Sequence, residues 1–373
     1  MKIGSIAPVV PVVLAPMAGV TNAPFRRLCR EFAPGLIYVN EMVMATALIH
    51  GNAKTERMAT FAPDEWPRSL QLYGSDPAVM GEAVRRLCGE GRVDHIDINF
   101  GCPAAKVTRK GGGAAVPAKP NLLRAILRAA VRAAEPSGVP VTAKFRKGLT
   151  DAILTSVATG RIAAEEGVAA IALHARTAEQ HYAGAADWSA IGELKAAVPE
   201  IPVLGNGDIW EASDAVAMMR ETGCDGVVVG RGCLGRPWLF ANLIDVLSGR
   251  PVAPSPPLGP VLHTMAHHAQ MLSEHLGESL AMRDFRKHTA WYFTGYPVGG
   301  ETRRRFSSVS TLAELDDLIA DLDPAIELVP GGERIRRGHT NGPIRVALPD
   351  GYLDHLDDLV PPDDAHVMAL SGG

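Results

Sequence analysis

Short apolar runs alternate with stretches of helical period eight times between residues 12 and 229. The runs are 12–14, 36–39, 69–73, 94–99, 139–145, 169–173, 202–204 and 226–229. Most are apolar throughout, the pattern of strands covered on both faces, and helices between them imply a parallel sheet. Helix punctuation agrees. Asn22 caps a helix with Pro24 in its first turn, and Asp76-Pro77 starts another. Leu122, Leu123, Ile126, Leu127, Ala130 and Val131 make one apolar helical face, stopped by Pro136-Ser137-Gly138, while Gly167 and Gly223 close two further helices. Eight units over about 245 residues fit a closed (β/α)8 TIM barrel better than an open sheet.

In such a barrel the carboxyl ends of the strands form one face, where active sites sit. Met17, Gln71, Asn99, Cys102, Lys144, His174, Asn206 and Arg231 all fall at or just past those ends. Singly each has a bland reading: Gln71 as turn chemistry, His174 as a satisfied core histidine. Their joint placement on one rim makes them candidates. The fourth strand runs into Gly101-Cys102-Pro103, where Pro103 drives Cys102 out of helical geometry and Gly101 permits a close approach. Behind this thiol come Lys106, Arg109, Lys110 and three glycines, a loop suited to receiving a polyanion.

Two glycine-rich turns, 205–209 and 230–235, follow the last two strands, where this fold usually binds phosphate through backbone N–H groups. The second also matches GxGxxG. A dinucleotide-binding reading fails because a proline-rich stretch stands where an acidic residue is needed. Lys144 suits an anionic cofactor, with pairing to Asp97 as the alternative. Cys102 can act as a general acid while protonated, or as a nucleophile if Lys106 or Arg109 lowers its pKa.

The 250–257 stretch, rich in proline, reads as a linker between a barrel (1–248) and a small helical domain (249–330) with helices near 263–276, 282–293 and 312–322. Arg286 and Lys287, then Arg303, Arg304 and Arg305, make that domain a candidate for nucleic-acid contact. Residues 331–373, rich in Gly, Pro and Asp, read as a loosely ordered tail. No apolar run reaches membrane-spanning length and the N-terminus lacks a signal pattern, so the cytoplasm is the expected location. Five scattered cysteines without a CxxC pair argue for free thiols and against a thiolate metal site. The histidines at 263, 267, 268 and 275 lack a carboxylate to complete a metal site, and no metal is expected.

Several pieces together identify a resemblance: APMAGVTNAPFR from Ala15, QLYGSDP from Gln71, DINFGCPAAKV from Asp97, LHARTAEQHYAGAADW from Leu173, GNGDI, VVVGRG, and RKHTAWYFTGYP from Arg286. The chain resembles the tRNA-dihydrouridine synthases over nearly all of 12–306, most like the bacterial B-type branch. It departs in reading KFRKG around Phe145, where a methionine is common, and in its longer tail. The resemblance implies an FMN-bound barrel, NADPH as transient reductant, and reduction of particular uridines in tRNA by a monomer. By the same resemblance Pro16, Met17, Ala18, Gln71, Lys144, His174, Asn206, Gly207, Asp208, Gly230 and Arg231 hold FMN. Cys102 donates the proton, and Asn99 lies beside flavin and uracil. Lys106, Arg109, Arg176 and the basic residues of the helical domain are expected to meet the RNA. Two alternatives stay open: an FMN-dependent reductase of a free pyrimidine or other small enone, and a non-catalytic RNA-binding barrel.

Overall fold

The computed structural model describes residues 1–359. The strands, in chain order, are β1 (Val12–Leu14), β2 (Ile37–Tyr38), β3 (Val43–Met44), β4 (Ser69–Tyr73), β5 (His95–Phe100), β6 (Val141–Arg146), β7 (Gly148–Thr150), β8 (Ile153–Leu154), β9 (Ala170–His174), β10 (Val203–Asn206) and β11 (Gly226–Val229). Apart from the β7–β8 hairpin they form one parallel sheet, in the order β2-β1-β11-β10-β9-β6-β5-β4-β3. The two ends of that order, β2 and β3, are consecutive pieces of one stretch. Val39 bridges Ser69 between them, and the Asn40 N–H donates to the Ser69 carbonyl at 2.9 Å. The sheet therefore closes as an eight-position barrel whose second position is split.

Asn40 explains the split. Its side chain is fully buried, accepts from Arg26 Nη1 at 2.9 Å and donates to the Met58 carbonyl, so the chain turns there to meet its partners. Arg26 is itself buried and paired with Glu65 at 2.5 Å. A buried polar group that finds all its partners fixes a local path that apolar packing alone would leave free.

The main core lies between the sheet and its surrounding helices. A smaller cluster fills the barrel interior, where Ile3 and Ile6 from the N-terminus pack against Val13, Ile37, Val39, Ala170, Leu204 and Val228. Ile3 and Ile6 bond each other's backbones and close the amino end of the barrel.

Beyond Leu239–Leu247, residues 250–257 carry no helix or strand. Four helices follow, Leu258–Leu276, Glu278–Tyr292, Gly300–Ser308 and Leu312–Ala320, around a core that includes Met265, Phe285, Phe293 and Phe306. This unit docks on the helix Ala23–Phe32: Phe25 meets His268 at 5.6 Å and His288 at 6.2 Å between ring centroids, and Glu31 bonds His267 at 2.9 Å. No helix among the described residues is long and apolar enough to cross a membrane.

Residues 331–359 hold one short 3-10 turn, Gly332–Arg334, and otherwise no regular element. Yet this stretch departs from the loosely packed tail expected of its composition. Arg337 is 2% exposed and Tyr352 5% exposed. Arg337 donates to four backbone carbonyls, among them Thr294 and Gly332, and the Tyr352 hydroxyl reaches the carbonyls of Gly111 and Ala115 at 3.3 Å. The segment is held by these polar anchors and by a small apolar cluster in which Val346, Leu348, Tyr352 and Leu353 pack on Ala114, Ala115 and Leu149. The rest of the expected tail, 360–373, lies outside the described residues.

Candidate active site

Parallel register places Gln71 beside Asp97, Asp97 beside Thr142, and Asn99 beside Lys144. Residues two apart on a strand share a face, so His95, Asp97 and Asn99 all turn inward. They form a continuous polar ladder. Ser69 Oγ meets His95 Nδ1 at 2.6 Å, and His95 Nε2 meets Thr142 Oγ1 at 2.8 Å. Thr142 and Gln71 each donate to Asp97 at 2.6 Å. Asn99 Nδ2 donates to Gln71 Oε1 at 2.7 Å. Asn99 Oδ1 then accepts from the backbone N–H of Gly101 at 3.0 Å and of Cys102 at 2.8 Å. The interior of the barrel thus fixes the backbone that carries the thiol.

The far side of the Cys102 loop is equally constrained. The Ala114 N–H donates to the Cys102 carbonyl at 3.0 Å. Gly113 has φ +55°, and a Cβ there would stand 2.6 Å from that carbonyl. Cys29, Cys88, Cys224 and Cys233 are buried, and Cys102 alone among the five is partly open. Burial pushes its thiol pKa up, outweighing the Ala104 N–H and the nearby Arg146, Lys106 and Lys144, which pull it down. It stays protonated at neutral pH, which favours the acid over the nucleophile.

Cys102 opens into a cavity of about 490 Å³ at the carboxyl end of the barrel. Lys144 lies deep within it and has no ion-pair or hydrogen-bond partner among the described residues, although the charge of Asp97 is felt there. Burial and then Arg146 lower the Lys144 pKa to about 8. Arg146 donates to the carbonyls of Gly101, Thr177 and His181 at 2.8–2.9 Å, tying the Cys102 loop to the loop after β9. His174 is pushed below its ordinary pKa by burial and by surrounding cations, and is neutral. Arg231 lies over the rings of Tyr182 (4.8 Å) and Trp210 (5.3 Å). A cavity walled by Lys144, Arg146 and Arg231, with Asp208 on its rim, selects anions.

All eleven residues expected to hold the cofactor line this cavity, as do Cys102, Asn99, Lys106 and Lys287. Other expected contacts do not. Arg176 is fully buried behind the wall, where it grips Asp208 at 2.7 Å and the carbonyls of Ala183 and Gly184. It braces Asp208, whose φ is +57°. Arg303 donates to the carbonyls of Phe293 and Tyr296 at the end of the helix Glu278–Tyr292. Arg304 pairs with Glu301, Arg305 with Asp321 at 3.0 Å, and Arg286 bonds Val309 and Ser310. Arg109 is exposed outside the cavity. Arg286 and Arg303 are bonded within their own unit, whereas the pairs of Arg304 and Arg305 are exposed and leave both cations at the surface.

Arg146, Tyr182, Trp210, Trp291 and His339 also line the cavity and were not among the expected residues. Arg146 was findable, since it lies two positions after Lys144 on the same strand face. His339 was not, because nothing local places the C-terminal segment at the mouth.

A phosphorylated flavin fits what is present. Lys144 is an unpaired cation at depth. A Cβ on Gly230 would be in ordinary contact with Ala15 at 3.7 Å, and Gly207 has φ +131° with a Cβ position only 2.6 Å from Ala186. Backbone can approach an anion closely at both turns. Among the described residues no cluster of His, Cys, Asp or Glu could hold a metal ion.

Comparison with known proteins agrees with this geometry. Residues 13–327 match the family described as dihydrouridine synthase (Dus). A Mycobacterium tuberculosis (strain CDC 1551 / Oshkosh) protein named "Probable tRNA-dihydrouridine synthase" is 52% identical over 378 residues, covering 100% of this chain and 97% of that protein. A Xanthomonas axonopodis pv. citri (strain 306) protein named "tRNA-dihydrouridine synthase B" is 39% identical over 340 residues, 87% of this chain and 99% of that one. Among solved structures, histamine dehydrogenase from Rhizobium sp. 4-9 aligns with TM-score 0.50 at 9% identity, over 87% of this chain and 64% of that chain, a likeness of fold alone.

Proposed function

The chain belongs to the dihydrouridine synthase family, and from that premise we propose that it reduces the C5=C6 bond of specific uridines in tRNA, with FMN as its flavin and NADPH as reductant, acting as a monomer in the cytoplasm. One observation carries the reading: a protonated thiol, Cys102, held by Asn99 at the edge of an anion-selecting cavity floored by Lys144. A flavin held in this cavity would supply the hydride for uracil C6. Cys102 gives its proton to C5, and burial keeps that proton in place until it is needed. Asn99 fixes the Cys102 backbone from below. Lys144 would set a positive charge beside a flavin bound there and so favour electron uptake. The target base must leave its stack to enter so deep a site, and Lys106 and Lys287 at the cavity wall, with Arg109 outside it, meet the phosphates on either side.

The test is direct. Purified protein should carry a flavin absorbance spectrum, with FMN released on denaturation. With NADPH it should form dihydrouridine in unmodified tRNA and leave free uridine unchanged. A colourless protein that takes up no flavin would overturn the reading, and turnover of free uridine would point to a small-molecule reductase.

A further inference from the structure

The segment after residue 331 lies beyond the 13–327 family match and crosses the cavity mouth. Its near end is pinned by Arg337, whose guanidinium is spent on backbone carbonyls of the helical unit and of its own turn. Its far end is pinned where Tyr352 reaches the Cys102 loop and Lys119 Nζ donates to the His355 carbonyl at 2.6 Å. Between these anchors the strap touches the cavity wall at successive points. Arg231 Nη1 donates to the His339 carbonyl at 2.6 Å. The His339 ring stacks on Tyr182, centroids 6.3 Å apart and planes 26° apart. The Tyr182 N–H donates to the Asn341 carbonyl at 3.2 Å, and the Ile344 N–H to Glu179 at 2.8 Å. Gly342 presses on the same loop, where an added Cβ would stand 2.3 Å from the Gln180 carbonyl.

Arg231 otherwise has only ring faces and a 3.5 Å approach to Asp208. Its one short hydrogen bond among the described residues runs to the strap. Freed of it, a long side chain regains rotamer freedom and is held in the wall by ring faces alone.

We propose that residues 338–342 are positioning residues that hold Arg231, directly through His339 and indirectly through Tyr182, for the phosphate of the bound flavin. The proposal rests on the flavin reading above, and the experiment separates the two. Full-length protein is stripped of flavin, and affinities for FMN and for riboflavin, which lacks the phosphate, are measured by quenching of flavin fluorescence. The variants are His339→Ala, which deletes an exposed ring, and Gly342→Ala, which forces the strap off the loop. Gly342→Ala, which displaces the carbonyl that Arg231 bonds, should raise the Kd for FMN about tenfold, the loss of one charge-assisted hydrogen bond. His339→Ala, which keeps that carbonyl and loses only the stack on Tyr182, should raise it about threefold. Each should change the Kd for riboflavin by less than about twofold. Equal losses on both flavins would reduce the strap to a structural role and overturn the proposal, as would no change on either. Wild-type protein that binds neither flavin would sink the flavin reading instead. If circular dichroism finds Gly342→Ala unfolded, His339→Ala decides alone.

Discussion

Cys102 and Lys144 sit in one cavity and are driven in the same direction, toward the neutral form, by the same enclosure. For the thiol this suits the acid role proposed above, since a general acid must arrive protonated. Cys102→Ala should retain flavin and accept electrons from NADPH, while dihydrouridine formation falls by about 10²–10⁴; an unchanged rate on tRNA would remove Cys102 from the reaction. For Lys144 the enclosure costs stability. Its pKa is about 8 in the folded protein against an ordinary 10.5. Between those values the unfolded chain binds more protons, so stability rises with pH across that window. At pH 7 the folded state carries the full cost, at most about 3 kcal/mol. Flavin-free Lys144→Met should therefore unfold at higher urea than the parent at pH 7, and the gap should narrow steadily from about pH 8 toward pH 10.5. Equal midpoints at pH 7 would mean the ammonium is not desolvated. The strand-end residues were legible in the sequence because a barrel rim is a fixed place. Arg146 was within reach by the same two-residue period, but Tyr182 was not, since its role depends on which loops pass over it.

The same limit appears among the elements. The second strand read as one run, 36–39, because its apolar residues are continuous; the division at Asn40 depends on Arg26 and Met58, far away in sequence. The helix Gly300–Ser308 was read only as a charge cluster, since Gly299 and Gly300 precede three arginines. Within it the three have unlike roles. Arg303→Ala removes one of two donors from each of the Phe293 and Tyr296 carbonyls, which keep the N–H groups of Tyr296 and Val298, and should cost about 1 kcal/mol in thermal melts. Arg304→Ala and Arg305→Ala break exposed pairs and should stay within about 0.5 kcal/mol. Salt titrations of tRNA binding make the converse check. Lys106→Ala and Arg109→Ala should each lower the log–log slope by about 0.7 to 0.9. A slope that responds to Arg304 and Arg305 but not to these two would move the phosphate path to the helical unit.

At the scale of the whole molecule, the barrel and the helical unit meet through buried histidines. His288 has no partner at either ring nitrogen among the described residues, and packs against His268, Phe285 and Trp291. Burial lowers both histidines, His268 to about 3. A depressed folded pKa means the unfolded chain takes up the proton first, so stability is lost as pH falls from about 6.5 toward that value; for His268 the loss is about 2 kcal/mol by pH 5. His288→Phe should be neutral or stabilising at pH 7 and give a shallower acid limb in melts at pH 5, whereas an acid limb as steep as the parent's would place the sensitivity elsewhere. The two ends of the chain have a further consequence, for synthesis on the ribosome. The barrel cannot close until β11 emerges to pair with β1, the first strand made. The cavity mouth is still unfinished then, because His339 and Asn341 trail behind the entire helical unit, on the order of ten seconds later at ribosomal rates. A nascent barrel thus has all its strands well before Arg231 is tied in place, and a chain broken off after the last strand would be a barrel with a loose mouth.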